Sequence, residues 1–282
     1  MIGESRWERW GRYALVLFAL VVILLPVYWM VNMSFKDKAE FVARPPTIVV
    51  QQPTLDNYYD LLVTQKFYKY GINSLLVALG AAVLAVTVGT MAAYALSRYR
   101  LPGNLNHHLL FTALTVRMFP PVVTIIPIFA LYSMNFFGHR MIDTRYGLAI
   151  IHGFVEIPLV IWMMIGFFRE IPRDMEEAAL VDGDSRFAVL RKIAIPLAAP
   201  GLAATFILVF ISSWNEFLMA LILTQSKART LPIAVAGQIT QYDIKFGNMM
   251  AAGVITTVPV MVLALLAQRH LTRGLALGGV TG

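Results

Sequence analysis

The chain has 282 residues, 58% of them hydrophobic and 14% charged, with a formal net charge of +7 and no cysteine. An ordinary soluble domain carries about 25% charged residues, so this chain lacks the charge to clothe a soluble core and reads as a membrane protein. The missing cysteines exclude a disulfide framework and a thiolate metal site. The basic residues are scattered between apolar runs, which fits anchoring to an anionic membrane surface and not nucleic acid.

Six apolar runs follow one another at about Tyr13–Met33, Ile72–Leu96, Leu109–Met134, Tyr146–Phe168, Leu202–Thr224 and Gly247–Ala267. Each reaches the roughly 20 residues a helix needs to cross the hydrocarbon core. Their continuous apolarity, without strict alternation, rules for helices over a barrel. The expected fold is therefore all-α, a single membrane domain over residues 1–282 with six transmembrane helices. The first run is longer than the apolar stretch of a cleaved signal peptide and has no small-residue cleavage site, so it reads as a retained helix.

The segment 34–71 contains "RPPTIVVQQPTLDNYYDLL", extended and proline-punctuated at first, then helix-like. It is the longest outer loop. Six spans put both termini on one side, together with segments 97–108 and 169–201. Arg6, Arg9, Arg12, Arg98 and Arg100 crowd the helix ends on that side, which places the termini in the cytoplasm by the positive-inside rule.

Runs three, four and five each hold one charge: Arg117, Glu156 and Glu216. A charge at the centre of a membrane helix costs roughly 2.5–3.5 kcal/mol even on a lenient insertion scale, so these residues should face protein or water. Pro120, Pro121 and Pro127 in run three and Pro158 in run four each remove a backbone hydrogen bond and invite a kink. Broken membrane helices occur where backbone lines a cavity. Arg117, Glu156 and Glu216, with Asn215 beside the last, are the candidate walls of a translocation path. His152 reads as a hydrogen-bonded packing residue, with no second metal-type ligand at useful spacing.

Between runs four and five lies the polar stretch "EEAALVDGDSRFAVLRKIAIP", Glu176 to Pro196. Pro172 suits the first position of a helix. Asp174, Glu176 and Glu177 follow in its opening turns, where the helix dipole favours anions. Met175, Ala178/Ala179 and Asp182 share one face by the three-four rule, and the alanines leave that face flat enough for another protein to approach. Gly183 can stop the helix in a left-handed conformation. Ser185 can cap a second helix with Phe187 and Leu190/Arg191 on one side. The result is a cytoplasmic helix-turn-helix fit to dock in a partner's groove. Its acidic first half disfavours nucleic acid.

This stretch resembles the EAA motif of ATP-binding-cassette importer permeases: Glu177-Ala178-Ala179, Gly183, and Ile193-Ala194-Ile195-Pro196 at the family's spacing. Ile195 stands for the usual Leu, Asp184 where a small Ala is common, and Thr281 where the family tail carries Lys. "AAYALSRYRLPG", "RMFPPVVTIIPIFALY", "GFFREIP", "SSWNEFLMALIL" and the tail "RGLALGGVTG" resemble the carbohydrate importers of the maltose-permease type.

The resemblance implies the type I importer permease fold in a bacterial or archaeal cytoplasmic membrane. The chain would be half of a heterodimeric channel, with a second permease subunit, two cytoplasmic ATPase subunits and an extracytoplasmic sugar-binding protein. Glu177, Ala178, Ala179, Asp182, Gly183, Ile193 and Pro196 would form the surface coupled to the ATPase. The chain has no Gly-x4-Gly-Lys-Ser/Thr loop and no catalytic motif, so it is expected to be no enzyme and to hold no cofactor. ATP and Mg would sit in the partner. The competing class is an ion-coupled secondary transporter, which predicts inverted repeats that the sequence does not show and leaves the polar stretch without a role.

Overall fold

The computed structural model describes residues 6–41, 43, 45–134, 140–239 and 245–278, those after 266 as helix backbone only. The tail position Thr281 lies outside the described residues. The main helices are α1 (Arg6–Ser34), α2 (Tyr68–Arg98), α3 (Leu105–Met118), α4 (Pro121–Ser133), α5 (Arg145–Glu170) and α6 (Arg173–Val181). They continue with α7 (Arg186–Leu197), α8 (Ala199–Asn215), α9 (Leu218–Leu223) and α10 (Phe246–Gly278). No strand occurs among the described residues.

Helices α1, α2, α5 and α10 are long and apolar enough to cross a membrane unaided. Two bent pairs reach the same standard together, Pro102–Met118 with α4 at 93° and α7 with α8 at 80°. Run three is thus two helices. Phe119 and Pro120 are both extended, with ψ of 130° and 126°. Each precedes a proline, whose ring bars the helical conformation to the residue before it. Run five is also interrupted: α8 ends at Asn215, and Glu216 is extended before α9 begins.

The chain divides into two compact units. The first joins the residues up to Tyr68 with Ala234–Val258. Its α1 is exposed along the apolar stretch from Leu15 to Leu25, as a lipid-facing helix should be, with Trp7, Trp10 and Tyr13 at its head. The polar end of α1 is the buried end. Asn32 donates to the Ile48 carbonyl at 3.1 Å, and buried Lys36 donates to the carbonyl and hydroxyl of Thr47 at 2.6 and 2.7 Å. Asn57 Nδ2 donates to the Ser34 and Lys36 carbonyls. The outer segment is therefore folded by hydrogen bonds onto the end of α1. The helix-like part appears as Asp56–Tyr59 running into a π-helical turn, Asp60–Thr64. Gly253 of α10 lies so close to Met30 that a Cβ there would meet its sulfur at 2.9 Å.

The second unit is Lys69–Ile233 with the chain from Pro259 onward. Its spine is a seam of small residues. Ala81, Ala85, Gly89 and Ala93 recur every fourth position on one face of α2, and all are buried. Small residues let membrane helices approach until backbones touch. A Cβ on Gly89 would meet Val160 at 2.6 Å, and one on Gly153 would meet Leu84 at 2.8 Å, so α2 and α5 interlock reciprocally. A cluster of Val77, Ile125, Tyr132, Leu148, Met219, Ala220 and Leu223 ties α4 and α9 to the same pair. Asp143 staples the loops beyond it: its carboxylate accepts from the backbone N–H groups of Gln225, Ser226, Lys227 and Ala228.

Candidate functional site

The polar stretch forms the helix-turn-helix expected, with its boundaries adjusted. Pro172 is the residue before α6, extended at ψ 134°, so Arg173 is the first helical position. Gly183 has a φ of 93° and ends the helix in the left-handed region that glycine enters at no steric cost. Ser185 caps α7, its hydroxyl accepting from the Ala188 N–H at 3.2 Å. A π-helical turn at Leu190–Ala194 rotates the rest of α7. Val189, Leu190 and Ala194 are buried, whereas Phe187 stays exposed. Of the face expected for Phe187 and Leu190/Arg191, Phe187 and Arg191 are both exposed, and Leu190 turns inward.

Glu176 fixes this segment to the body of the unit. It is buried, and it accepts from Arg98 Nε at 2.9 Å, from Arg98 Nη2 at 2.7 Å and from the Tyr94 hydroxyl at 2.9 Å. The second Arg98 nitrogen also donates to the Ile171 carbonyl at 3.1 Å. Tyr94 and Arg98 are one turn apart at the end of α2, where a cation complements the helix dipole. Glu176 stands in the first turn of α6, where an anion does the same. A second contact stacks the Arg186 guanidinium over the Tyr99 ring, 4.9 Å from its centre. Sequence reasoning singled out Glu177 and passed over Glu176. Neither neighbourhood carries a signal for the other, since Arg98 and Glu176 lie 78 residues apart in sequence.

The face left outward is the one carrying the motif. Glu177, Ala178, Asp182, Gly183 and Pro196 are exposed, and Ala179 and Ile193 are half-buried. Around them Val181 is 88% and Phe187 64% exposed, so two large apolar side chains stand uncovered beside the motif. Asp184 is paired to Lys192 at 2.6 Å across the turn, on the surface.

The charges inside the runs meet on α5. Arg117, in the last turn of α3 just before the bend, donates to Glu156 Oε2 at 2.9 Å. Ser212 of α8 donates to the other Glu156 oxygen at 2.5 Å. One turn earlier on α5, His152 Nδ1 lies 2.8 Å from the Ser213 hydroxyl, and its Nε2 is 3.3 Å from Glu216. Glu216 in turn accepts from the N–H groups of Met219 and Ala220, capping α9. The structure thus brings Arg117 and Glu156 into one pair and places Glu216 in a neighbouring pair with His152. Asn215 ends α8 as an exposed residue and belongs to neither. His152 is the hydrogen-bonded packing residue expected. Ser212 and Ser213 had no signal in the sequence, because serines are common in apolar helices. Two helix breaks flank this network: Arg117 precedes the one at Phe119 and Pro120, and Glu216 sits in the one between α8 and α9.

A family model described as the binding-protein-dependent transport system inner membrane component matches residues 85–277. The trehalose transport system permease protein SugB of Mycobacterium tuberculosis is 37% identical over 286 residues, covering 100% of either chain. The trehalose/maltose transport system permease protein MalG of Thermococcus litoralis is 34% identical over 93% of this chain and 93% of its own. In fold, the chain resembles part of a bacterial ABC transporter involved in the import of the acidic polysaccharide alginate. There the TM-score is 0.79 at 22% identity, with 95% of this chain and 99% of that one covered.

Proposed function

The chain belongs to the family of binding-protein-dependent transport system inner membrane components, a multi-pass membrane permease and not an enzyme, and we propose that it carries a carbohydrate into the cell. The trehalose and maltose relatives support a di- or oligosaccharide. The partners proposed are a second permease subunit, two cytoplasmic ATPase subunits that hold ATP and Mg, and an extracytoplasmic binding protein that delivers the sugar. Both termini then lie in the cytoplasm.

The observation that carries this reading is the helix-turn-helix, bolted to α2 on one side and bare on the other. In the proposed cycle the ATPase grips Glu177, Ala178, Ala179, Asp182 and Gly183, with Val181 and Phe187 filling its groove. ATP closes the ATPase dimer and displaces α6. The Arg98–Glu176 pair passes the displacement to α2, and the Gly89 and Gly153 seam passes it to α5. There it reaches Arg117, Glu156 and Glu216, beside the two helix breaks. Alternating access follows because each state binds ATP and the loaded binding protein differently. The intramembrane charges line the path, and the solute passes along them.

The reading is tested by deleting the chain from its native cell and following uptake of a panel of labelled di- and oligosaccharides. Loss of at least one sugar, restored by the wild-type chain and not by Glu177→Lys at equal membrane abundance, is expected. Unchanged uptake of every sugar contradicts the carbohydrate assignment. Full restoration by Glu177→Lys contradicts the coupling role of the motif.

A further inference from the structure

The turn that joins α2 to α3 and the end of α5 enclose a cleft of about 800 Å³. Its walls carry Arg98, Arg100, Arg169, Arg173, His107 and one acid, Glu170. Arg98 is spent on Glu176. Arg100, Arg169 and Arg173 are exposed and meet no carboxylate within ion-pair distance among the described residues. The ordinary bias of basic residues toward cytoplasmic helix ends explains their number. It does not explain why they converge on one concavity, where they repel each other unless an anion enters.

The wall is built in advance. Asn106 donates to the carbonyls of Leu96 and Tyr99 at 3.0 and 2.7 Å and accepts from the Leu101 N–H at 2.7 Å. Gly103 and Asn104 turn the chain through two successive left-handed residues. Leu101 lines the cleft before this turn, and Leu105 and Leu109 follow it one turn apart on α3, all three more than a third exposed. The cleft therefore has a cationic floor at the end of the membrane-spanning helices and an apolar stripe that leaves it along one of them.

We propose that this cleft seats the phosphate of an anionic glycerophospholipid, with an acyl chain lying along Leu101, Leu105 and Leu109. Guanidinium groups match a phosphate in charge and in fork geometry. A free phosphate would satisfy the arginines and leave the leucines without a partner. The cleft shares Arg98 and Arg173 with the base of the helix-turn-helix but none of the motif's outward residues, and none of the intramembrane charges lines it. It requires only that the end of α2 lie at the membrane surface, so a different transported solute would leave it standing.

The test uses the tagged full chain purified with its associated subunits, delipidated and titrated with phosphatidylglycerol, phosphatidylcholine or inorganic phosphate, with bound lipid counted by native mass spectrometry. The wild type is expected to prefer phosphatidylglycerol. Arg100→Gln with Arg169→Gln should weaken that binding about 25-fold, from roughly fivefold per arginine at a membrane surface. Arg140→Gln with Arg229→Gln, an equal loss of charge outside the cleft, should leave it unchanged. If the cleft double variant does not assemble, the two single variants are compared and should each weaken binding. Equal binding by wild type and cleft variants, or equal weakening by the control pair, overturns the proposal. Inorganic phosphate displacing the lipid as well as phosphatidylglycerol itself does overturns the lipid assignment in favour of a soluble anion.

Discussion

The acid–base contacts that join the helices of the second unit are of two kinds. At the end of α2, Arg98 and Glu176 are each 8% exposed in their side chains, joined through several hydrogen bonds and closed by Tyr94. Inside the apolar runs, Glu156 is 9% exposed but its partner Arg117 is 38% exposed, and Glu216 is 23% exposed beside His152. The first pair is sealed from water on both sides and acts as a weld between α6 and α2. In each of the other two contacts one member is open and the other buried. Burial of both partners suits transmission of force, and burial of one suits exchange of contacts during passage.

The weld should be the most sensitive point. Arg98→Ala leaves a buried carboxylate unpaired, which costs about 3–5 kcal/mol. It should sharply reduce the folded chain recovered from membranes, as read by thermal melting. Recovery and melting equal to wild type would remove the distinction between the two pairs. Next is the seam that links them. Gly89→Val drives a side chain into Val160, an overpacking worth about 1–3 kcal/mol. It should uncouple ATP hydrolysis from uptake even where the complex assembles.

Arg117→Met leaves the buried Glu156 without its guanidinium but still held by Ser212, so it should cost less stability than Arg98→Ala, while uptake falls severalfold. A melt lowered as far as by Arg98→Ala would show that the second pair is also a weld. Asp143 offers a smaller, pH-dependent test outside the membrane. Burial raises its pKa, but the N–H groups of Gln225, Ala228, Lys227 and Ser226 outweigh that and hold it below the ordinary carboxylate range. A depressed carboxylate stabilises the fold above its unfolded pKa of about 3.9 and loses that contribution as pH falls through the lower folded value. Asp143→Asn should therefore flatten the acid limb of the stability curve and leave uptake at neutral pH intact. Smallest of all, Asp184→Ala removes an exposed pair and should change stability by less than about 1 kcal/mol.

The coupling segment was legible because its signals are local. Gly183 and Ser185 did what glycine and serine do at helix ends. The weld was not legible, because Glu176 meets Arg98 across 78 residues of sequence and nothing in either neighbourhood names the other. The break in run three was written in Pro120 and Pro121. The break in run five was not: no proline stands at Glu216, whose carboxylate takes the freed N–H groups of Met219 and Ala220. The three intramembrane charges pointed to a shared wall, but which of them pair depends on how α5 faces α3 and α8. Apolar periodicity does not fix that rotation. His152 and the two serines supply it.

On the proposed function, the outer face of α6 and α7 engages an ATPase while their inner face is welded to α2. The most direct measurement is gentle purification of the tagged chain and of its Glu177→Lys variant from the native cell, with every associated chain identified by mass. The wild type should bring down a second apolar permease and an ATPase with a phosphate-binding loop. The variant should keep the permease and lose the ATPase. A wild-type chain recovered alone, or a variant that retains the ATPase in full, would contradict the account.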